Sequence, residues 1–372
     1  MKRVIGMDIF DYVEKYGNYS LEDIEFNEVD NLVFSSLSYI NFLNIVSSNS
    51  IGKITIKEAS DKYFSLYPED GNCILGVKYA RRLLRIVKDS KRYGDLLLYN
   101  YVYEYRDDQQ FGALTIELNK DLVYVSFEGT DQLVGGWRED FMLSYKFPVL
   151  SQRRAIDYVN KNFLFRRKNI ILGGHSKGGN LAMVAGMYAN FLVRDKIVAI
   201  YNNDGPGLLK EQYESKFYKY IEKKIIHIVP SYSVVGLLLS HGDNINVVRS
   251  FRKSIVSHMP YTWVVNDKGF EKCELSSFSS SLDKEIDNWL NNYSVEDRKR
   301  LINNLFGIFD KVGIDSLVDL IENKRLLLKL INESKELDED TSLMIKSFVK
   351  ILLESFKISA KEEVLSLFDK KK

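Results

Sequence analysis

Cysteine is scarce in this chain, which has only Cys73 and Cys273 among its 372 residues. Two cysteines cannot build the disulfide framework of a small secreted protein, so we expect a reducing compartment. Proline is also rare, with 5 residues, and no low-complexity tract occurs, which argues against long linkers. The length is enough for one large domain and an appended region.

Net charge and long apolar runs are missing too. The 52 basic side chains nearly cancel the 51 acidic ones and leave a formal net charge of +1. The sequence therefore lacks the excess of positive charge that is typical of nucleic-acid-binding proteins. No uninterrupted apolar segment reaches the roughly 18 to 20 residues that a membrane-spanning helix requires. Asp8, Asp11 and Glu14 follow the basic start before any apolar run, which does not fit a signal peptide. We therefore expect a cytoplasmic protein with no nucleic-acid partner and no transmembrane segment.

What the chain does contain is one stretch, residues 169–190, in which three features follow one another. Residues 170–172 are a short apolar run, which indicates a buried parallel strand. Four apolar or aromatic side chains then recur at helical spacing: Leu181, Val184, Ala185 and Tyr188. Between them lies the pattern G-x-S-x-G around Ser176, which in this context is typical of the nucleophile elbow of an α/β-hydrolase. A Walker phosphate loop is excluded because Lys177 precedes the glycines that it would have to follow.

Short apolar runs alternate with helical patterns through the middle of the chain. The predicted strands cover residues 96–105, 111–118, 122–127, 170–172, 196–204, 224–230 and 245–250. The predicted helices cover residues 26–46, 73–87 and 153–165, with Arg81, Arg82 and Arg85 on the outer side of the second. This alternation predicts an α/β protein with the α/β-hydrolase fold, in which helices flank a mainly parallel central sheet.

From about residue 277 onward the pattern is helical. Ser294 and Asp297 have the spacing of a capping box, with Asp in place of Glu. Further helical patterns cover residues 317–331, 343–356 and 364–367. We therefore predict an α/β-hydrolase-like domain over residues 1–280, N-terminal helices included, and an all-helical C-terminal region over residues 281–372. Because no site chemistry converges in this region, packing or self-association through its helices is the expected role.

A serine nucleophile needs a histidine base and an acid that orients it, and this fold supplies them in the chain order Ser, acid, His. The sequence has 4 histidines. His175 lies inside the turn beside Ser176, where its ring cannot face the hydroxyl, His227 lies in a predicted strand and His241 in a polar turn. His258 follows the last predicted strand by a short loop, which is where the fold places its base. The predicted base is therefore His258.

The acid is less clearly marked. Asp204 closes a predicted strand, and the carboxyl ends of strands in open α/β sheets face the ligand crevice, although an aspartate there can also simply form a turn. The position after the next strand has Ser233 in place of a carboxylate, and Asp243 is the third choice. The sequence favours Asp204 and leaves Asp243 or a substitute Ser233 open.

An oxyanion hole requires two backbone N–H groups. One should come from Lys177, the residue after the nucleophile, and the other from Thr130, which follows an early strand. The Thr130 hydroxyl is a further donor, although Gly129 and Thr130 also fit an ordinary turn at the end of a strand. A separate hypothesis is that the Lys177 amine pairs with Asp131 or holds an anionic group of the substrate.

Several motifs together resemble the class 3 lipase branch of the α/β-hydrolases. They are VYVSFEGTD with Trp137 and Asp140 downstream, GHSKGGNLA, and a late histidine. More closely, the chain is similar to a bacterial family of undetermined function that is related to those lipases. That similarity lies in FNEVDNLVFSSLSY, GHSKGGNLA, DGPG, SVVGLLL and SHMPYTWVV, and covers roughly residues 1–270.

The resemblance implies a nucleophile at Ser176, a base at His258 and oxyanion stabilisation by Thr130. Two positions depart from it. Class 3 lipases have Arg where this chain has Glu128. They also carry their acid in an Asp-x-Val-Pro pattern, and the corresponding residues of this chain, 233–236, are SVVG. The choice of acid therefore depends on the sequence's own pattern and not on the resemblance.

These observations predict a serine hydrolase of the carboxylester or lipase type, acting on an acyl-ester or lipid-like small molecule. Its triad would be Ser176, His258 and Asp204, with the backbone N–H groups of Thr130 and Lys177 as the oxyanion hole. This chemistry requires neither a metal ion nor an organic cofactor. The alternative is a non-catalytic interaction protein on a hydrolase fold, whose C-terminal helices bind a partner.

Overall fold

An eight-stranded sheet forms the centre of the protein, with its strands in the same order in space as in the chain. The computed structural model describes residues 6–69, 75–106, 109–130, 134–242, 244–314, 324–339, 341–343 and 345–346. The strands are β1 (Ile54–Thr55), β2 (Leu97–Arg106), β3 (Gln109–Glu117), β4 (Leu122–Phe127), β5 (Asn169–His175), β6 (Ile197–Asn203), β7 (Ile225–Pro230) and β8 (Ile245–Val248). Strands β1 to β4 pair antiparallel, and β4 to β8 pair parallel.

Helices cover both faces of this sheet. In chain order they are α1 (Ile9–Tyr16), α2 (Glu28–Leu37), α3 (Ile56–Leu66), α4 (Leu75–Val87), α5 (Val134–Met142), α6 (Leu150–Phe163), α7 (Lys177–Tyr188), α8 (Phe191–Arg194), α9 (Lys210–Tyr213), α10 (Lys216–Ile221), α11 (Ser277–Asn292), α12 (Val295–Val312) and α13 (Lys324–Ser334). A short hairpin of β9 (Val265–Asn266) and β10 (Gly269–Phe270) precedes α11. The predicted α/β-hydrolase fold is confirmed, with an antiparallel half added to the parallel one.

Two hydrophobic clusters lie on opposite faces of the sheet because successive side chains of a strand point to opposite sides. On β5, Ile171 belongs to the cluster under α1 to α4, whereas Ile170 and Leu172 belong to the cluster under α6 and α7. Residues 170–174 of this strand are all buried. A strand covered on both faces has no polar side to alternate with, which is why its sequence is a continuous apolar run.

Two predictions for the N-terminal helices need correction. The helix predicted over residues 26–46 ends at Leu37, although Ile40 and Val46 beyond it are still buried. The apolar spacing matches burial except at Leu43, which is exposed, and burial continues past the end of the helix. The sequence predicts Arg81 on the outer side of its helix, but the residue is buried. Its guanidinium can be buried because it donates to the hydroxyl of Tyr63 and to main-chain oxygens that follow α3.

The C-terminal helices pack against α5. Phe306 of α12 contacts Phe141 of α5 edge to face, with ring centroids 5.7 Å apart, and Arg138 pairs with Asp310 at 2.7 Å. The predicted capping box of Ser294 is present at the start of α12. Helix α11 crosses the predicted domain boundary at residue 280, and that division stays a prediction.

Of the further predicted C-terminal helices, the pattern over residues 317–331 overlaps α13. Most of the pattern over residues 343–356, and all of the one over residues 364–367, lie outside the described residues. Among the helices that the structure describes, none is both long and apolar enough to cross a membrane.

Candidate active site

Ser176 occupies the junction between β5 and α7. Its backbone has φ of 58° and ψ of −134°, and its N–H donates to the main-chain oxygen of Asn203 at 3.0 Å. A positive φ is uncommon for a residue other than glycine and persists only where the surrounding structure holds it. The sharp turn predicted around Ser176 is therefore present in the backbone.

The glycines on either side of Ser176 are required by close backbone contacts. A Cβ added to Gly174 would lie 2.3 Å from the carbonyl carbon of Gly178. A Cβ added to Gly178 would lie 2.2 Å from the main-chain oxygen of Phe127. Both distances are far shorter than any real contact of a Cβ, so side chains at these positions would force the turn apart.

His258 and Asp204 are in direct contact. His258 Nδ1 lies 2.7 Å from Asp204 Oδ2, and the carboxylate belongs to a fully buried residue directly after β6. A carboxylate accepts, so Nδ1 is the donor and the second ring nitrogen of His258, Nε2, is available to take up a proton. The side chain of His258 is 17% exposed, which leaves it open to a substrate.

The other oxygen of Asp204 is held from the end of the next strand. Ser233 Oγ donates to Asp204 Oδ1 at 2.5 Å, and the N–H of Gly236 donates to the same oxygen at 3.1 Å. The sequence also allows Ser233 as a replacement for the acid, but its hydroxyl donates to Asp204 and so supports the carboxylate. The remaining candidate acid, Asp243, lies outside the described residues.

His175 joins His258 to the turn that carries Ser176. Its Nε2 lies 2.8 Å from the main-chain oxygen of His258, its Nδ1 lies 2.9 Å from the hydroxyl of Tyr39, and the two imidazole rings are 4.5 Å apart. These contacts bring His258 against the residue that directly precedes Ser176. The other two histidines take no part in these contacts. His227 is buried in β7 with no hydrogen-bond partner for Nε2 among the described residues, and His241 lies 3.1 Å from Asp283.

Thr130 follows β4 on the loop that leads towards α5. Its hydroxyl donates to Asp140 Oδ2 at 2.6 Å, while Asp140 Oδ1 is buried without a hydrogen-bond partner among the described residues. Burial raises the pKa of Asp140 to about 6, although the nearby Lys177 amine and the Thr130 hydroxyl act in the opposite direction. Asp140 therefore fixes the side chain of Thr130, a contact that the sequence did not predict.

Lys177 is the first residue of α7, so its backbone N–H has no acceptor within the helix. Its side chain is fully buried, and Nζ lies 3.1 Å from both Glu139 Oε2 and the main-chain oxygen of Gln110. The hypothesis that this amine holds an anionic group of the substrate is therefore wrong, because a carboxylate of the protein already neutralises it in the interior. Asp131, the other suggested partner, lies outside the described residues.

Sequence reasoning also missed Tyr39 and Glu139, whose partners lie 136 and 38 residues away in the chain. Contacts over such separations leave no local spacing pattern. Within the described part of the chain, no cluster of three or more His, Cys, Asp or Glu side chains is arranged to hold a metal ion.

A comparison with known protein families shows the family to which this chain belongs. A sequence model of the Mbeg1-like family matches residues 87–307, which is more than half of the chain and includes Thr130, Ser176, Asp204 and His258. No curated protein matches the sequence significantly.

The solved structures similar to this chain include two lipases. The crystal structure of M37 lipase is 15% identical, covers 57% of this chain and 70% of its own, and has a TM-score of 0.35. The native propeptide complex of Rhizomucor miehei lipase is 13% identical, covers 73% of this chain and 79% of its own, and has a TM-score of 0.37.

Proposed function

Since the chain belongs to the Mbeg1-like family and has the α/β-hydrolase fold, we propose that it is a serine hydrolase of the carboxylester or lipase type. The observation that supports this most is the 2.7 Å contact between His258 Nδ1 and Asp204 Oδ2. The main-chain oxygen of the same histidine contacts His175, the residue before Ser176. A histidine whose Nδ1 is held by a buried carboxylate has the tautomer that a general base needs, with Nε2 free to accept a proton.

Ser176 is the proposed nucleophile. Its Oγ attacks the carbonyl carbon of an acyl ester while His258 Nε2 takes the hydroxyl proton, and Asp204 stabilises the imidazolium that forms. The tetrahedral intermediate then expels the alcohol, which receives the proton from Nε2. Water, activated by the same ring, hydrolyses the acyl-enzyme and returns Ser176 to its starting state.

The backbone N–H groups of Thr130 and Lys177 are the proposed donors to the oxyanion. Lys177 also lies at the N-terminal end of α7, where the helix dipole favours developing negative charge. Because the Thr130 hydroxyl donates to Asp140, the donor that remains for the substrate is the Thr130 N–H. Removal of one such donor typically costs about 3 kcal/mol of transition-state stabilisation.

Reaction with a fluorophosphonate probe tests the proposal, because such probes label a serine only when a base activates it. We expect the wild-type protein to be labelled and Ser176→Ala not to be. Ser126→Ala is the matched control, since its buried hydroxyl binds only a main-chain oxygen, that of Phe34, in the described contacts.

A wild-type protein that is folded but not labelled would contradict the proposed activity. That result would favour the alternative, a non-catalytic interaction protein with the C-terminal helices as its binding surface. Labelled wild type would next be assayed against esters of increasing acyl length, since the proposed substrate is an acyl ester or a lipid-like molecule.

A further inference from the structure

His175 directly precedes Ser176, and both nitrogens of its imidazole ring have a polar partner. Nδ1 lies 2.9 Å from the hydroxyl of Tyr39, and Nε2 lies 2.8 Å from the main-chain oxygen of His258. The rings of His175 and His258 are also in contact, with centroids 4.5 Å apart. From these contacts we propose that His175 is a positioning residue, which holds the main chain of His258 so that its ring stays against the turn that carries Ser176.

The partners of His175 determine where its proton is. A carbonyl oxygen only accepts, so Nε2 carries the hydrogen and donates it to the main-chain oxygen of His258. In a neutral ring Nδ1 is then an acceptor, and the hydroxyl of Tyr39 donates to it. Burial, followed by the neighbouring His258, holds the pKa of His175 well below its ordinary value of 6.5, so the ring is neutral. A single tautomer therefore satisfies both contacts.

His258 needs such support because it ends a short 3-10 segment and lies outside the sheet. Trp263 Nε1 donates to the main-chain oxygen of Ser257 at 2.9 Å, and His175 donates to the next carbonyl along. Asp204 restrains the same residue from the side of its ring, through Nδ1. With the main chain and Nδ1 both fixed, the position of Nε2 is fixed as well.

Tyr39 extends this series of contacts to the loop that carries Thr130. A Cβ added to Gly129 would lie 2.1 Å from the Tyr39 hydroxyl, so that hydroxyl lies directly against the residue before Thr130. The neutral state of His175 also matters, because a second cation 4.5 Å from His258 would oppose the imidazolium that forms during the proposed reaction.

This inference rests on the proposed function, and its test separates the two. The rate of reaction with a fluorophosphonate probe is measured over a range of probe concentrations for the wild type, His175→Leu and His175→Gln. A displaced base slows the chemical step, so we expect His175→Leu to lower the maximal rate constant by up to about 100-fold. The half-saturating concentration should not change, since probe binding is unaffected. Glutamine can donate from near the position of Nε2, so His175→Gln should recover most of the loss.

A His175→Leu variant that reacts as fast as the wild type would overturn the positioning role, and so would a His175→Gln variant as slow as His175→Leu. His175→Leu could fail to fold, as judged by circular dichroism and thermal unfolding. The labelling rate of Tyr39→Phe is then measured instead, because this change removes the hydroxyl that donates to His175 Nδ1. Its matched control is Tyr158→Phe, whose buried hydroxyl contacts Thr115 and the main chain of Asn100.

Slower reaction of Tyr39→Phe than of Tyr158→Phe supports the positioning role, and equal rates overturn it. Absence of labelling in the wild type contradicts the proposed function itself, and the positioning role then falls with it.

Discussion

The carboxylate of Asp204 is held by three hydrogen bonds, to Ser233, Gly236 and His258. The residue is fully buried, and an isolated charge in the interior would be costly. Charge-assisted hydrogen bonds offset that cost and fix the direction in which the carboxylate faces the ring. At the scale of single residues, the geometry of the candidate site is therefore set by which groups donate to each of the two oxygens of Asp204.

Ser233→Ala tests how far the serine hydroxyl supports Asp204. The change leaves Oδ1 with the N–H of Gly236 alone, so we expect the rate constant for fluorophosphonate labelling to fall about 10-fold, as for one hydrogen bond to a charged group. Asp204→Asn removes the charge and should lower the same rate constant by about 10⁴-fold. If both variants were equally slow, the Ser233 hydroxyl would be as necessary as the charge of Asp204, which would contradict a merely supporting role.

The raised pKa of Asp140 makes stability depend on pH. With a pKa of about 6 in the folded protein against 3.8 in the unfolded chain, the folded state binds more protons between these values. Stability of the wild type should therefore fall as pH rises from 4 to 6. Asp140→Asn should abolish that loss, so that the variant gains up to about 3 kcal/mol on the wild type across this range.

Chemical denaturation at a series of pH values measures this difference. Asp89→Asn is the control, because Asp89 is exposed on the surface and its removal should leave the pH dependence intact. A constant difference between Asp140→Asn and the wild type from pH 4 to 6 would contradict the prediction.

The G-x-S-x-G pattern selected Ser176, and chain order and strand ends selected His258 and Asp204. In the structure His258 contacts both Asp204 and the residue before Ser176. Their chemical roles stay predictions. The hypothesis that the Lys177 amine binds an anionic group of the substrate was wrong because it takes the lysine side chain to be exposed, as most lysines are. Only the fold reveals that Glu139 neutralises it inside the protein.

At the scale of elements, the close approach of α7 to β4 sets the geometry of the turn. Gly178→Ala would place a Cβ 2.2 Å from the Phe127 oxygen, so we expect a loss of several kcal/mol of stability or no soluble protein. Gly307 in α12 has open space where a Cβ would lie, with nothing within 4 Å, and Gly307→Ala should raise stability by about 1 kcal/mol through helix propensity.

Denaturant midpoints of the two variants provide the comparison. Both variants replace a helical glycine with alanine. The difference between their free energies of unfolding therefore separates the cost of the clash at Gly178 from the effect of helix propensity. A Gly178→Ala variant as stable as Gly307→Ala would show that the turn can relax without cost.

Strands were easier to predict than helix ends. Strand β4 was predicted at its observed bounds, because its apolar run is followed at once by the charged Glu128 and the turn-forming Gly129. The helix over residues 26–46 was predicted too long because apolar spacing records burial, whether or not the backbone is still helical. The edge of the sheet formed by β1 has only two residues, too few for any periodic pattern.

For the molecule as a whole, α5 links the C-terminal helices to the candidate site. Its Phe141 and Arg138 contact α12, while the intervening Asp140 binds Thr130. Phe306→Ala removes a buried ring that packs against Phe141, so we expect it to lower stability by about 3 to 5 kcal/mol and to slow fluorophosphonate labelling, because α5 loses this contact with α12.

Asp310→Asn is the control for the Phe306→Ala variant. It breaks the ion pair with Arg138, but Asp310 is 64% exposed, and such surface pairs contribute little, so both stability and labelling should stay near those of the wild type. If Phe306→Ala were destabilised but labelled at the wild-type rate, the C-terminal helices would stabilise the fold without affecting the site.

Asp204 and Ser233 follow neighbouring strands, β6 and β7, yet they meet at a single oxygen atom. Two strand ends thus reach the same point behind the imidazole of His258. During evolution, substitutions can therefore move the acidic residue from the end of one strand to the end of the other while the imidazole keeps its position. Relatives of this protein are therefore better aligned by where their acids lie in space than by the strand from which each acid comes.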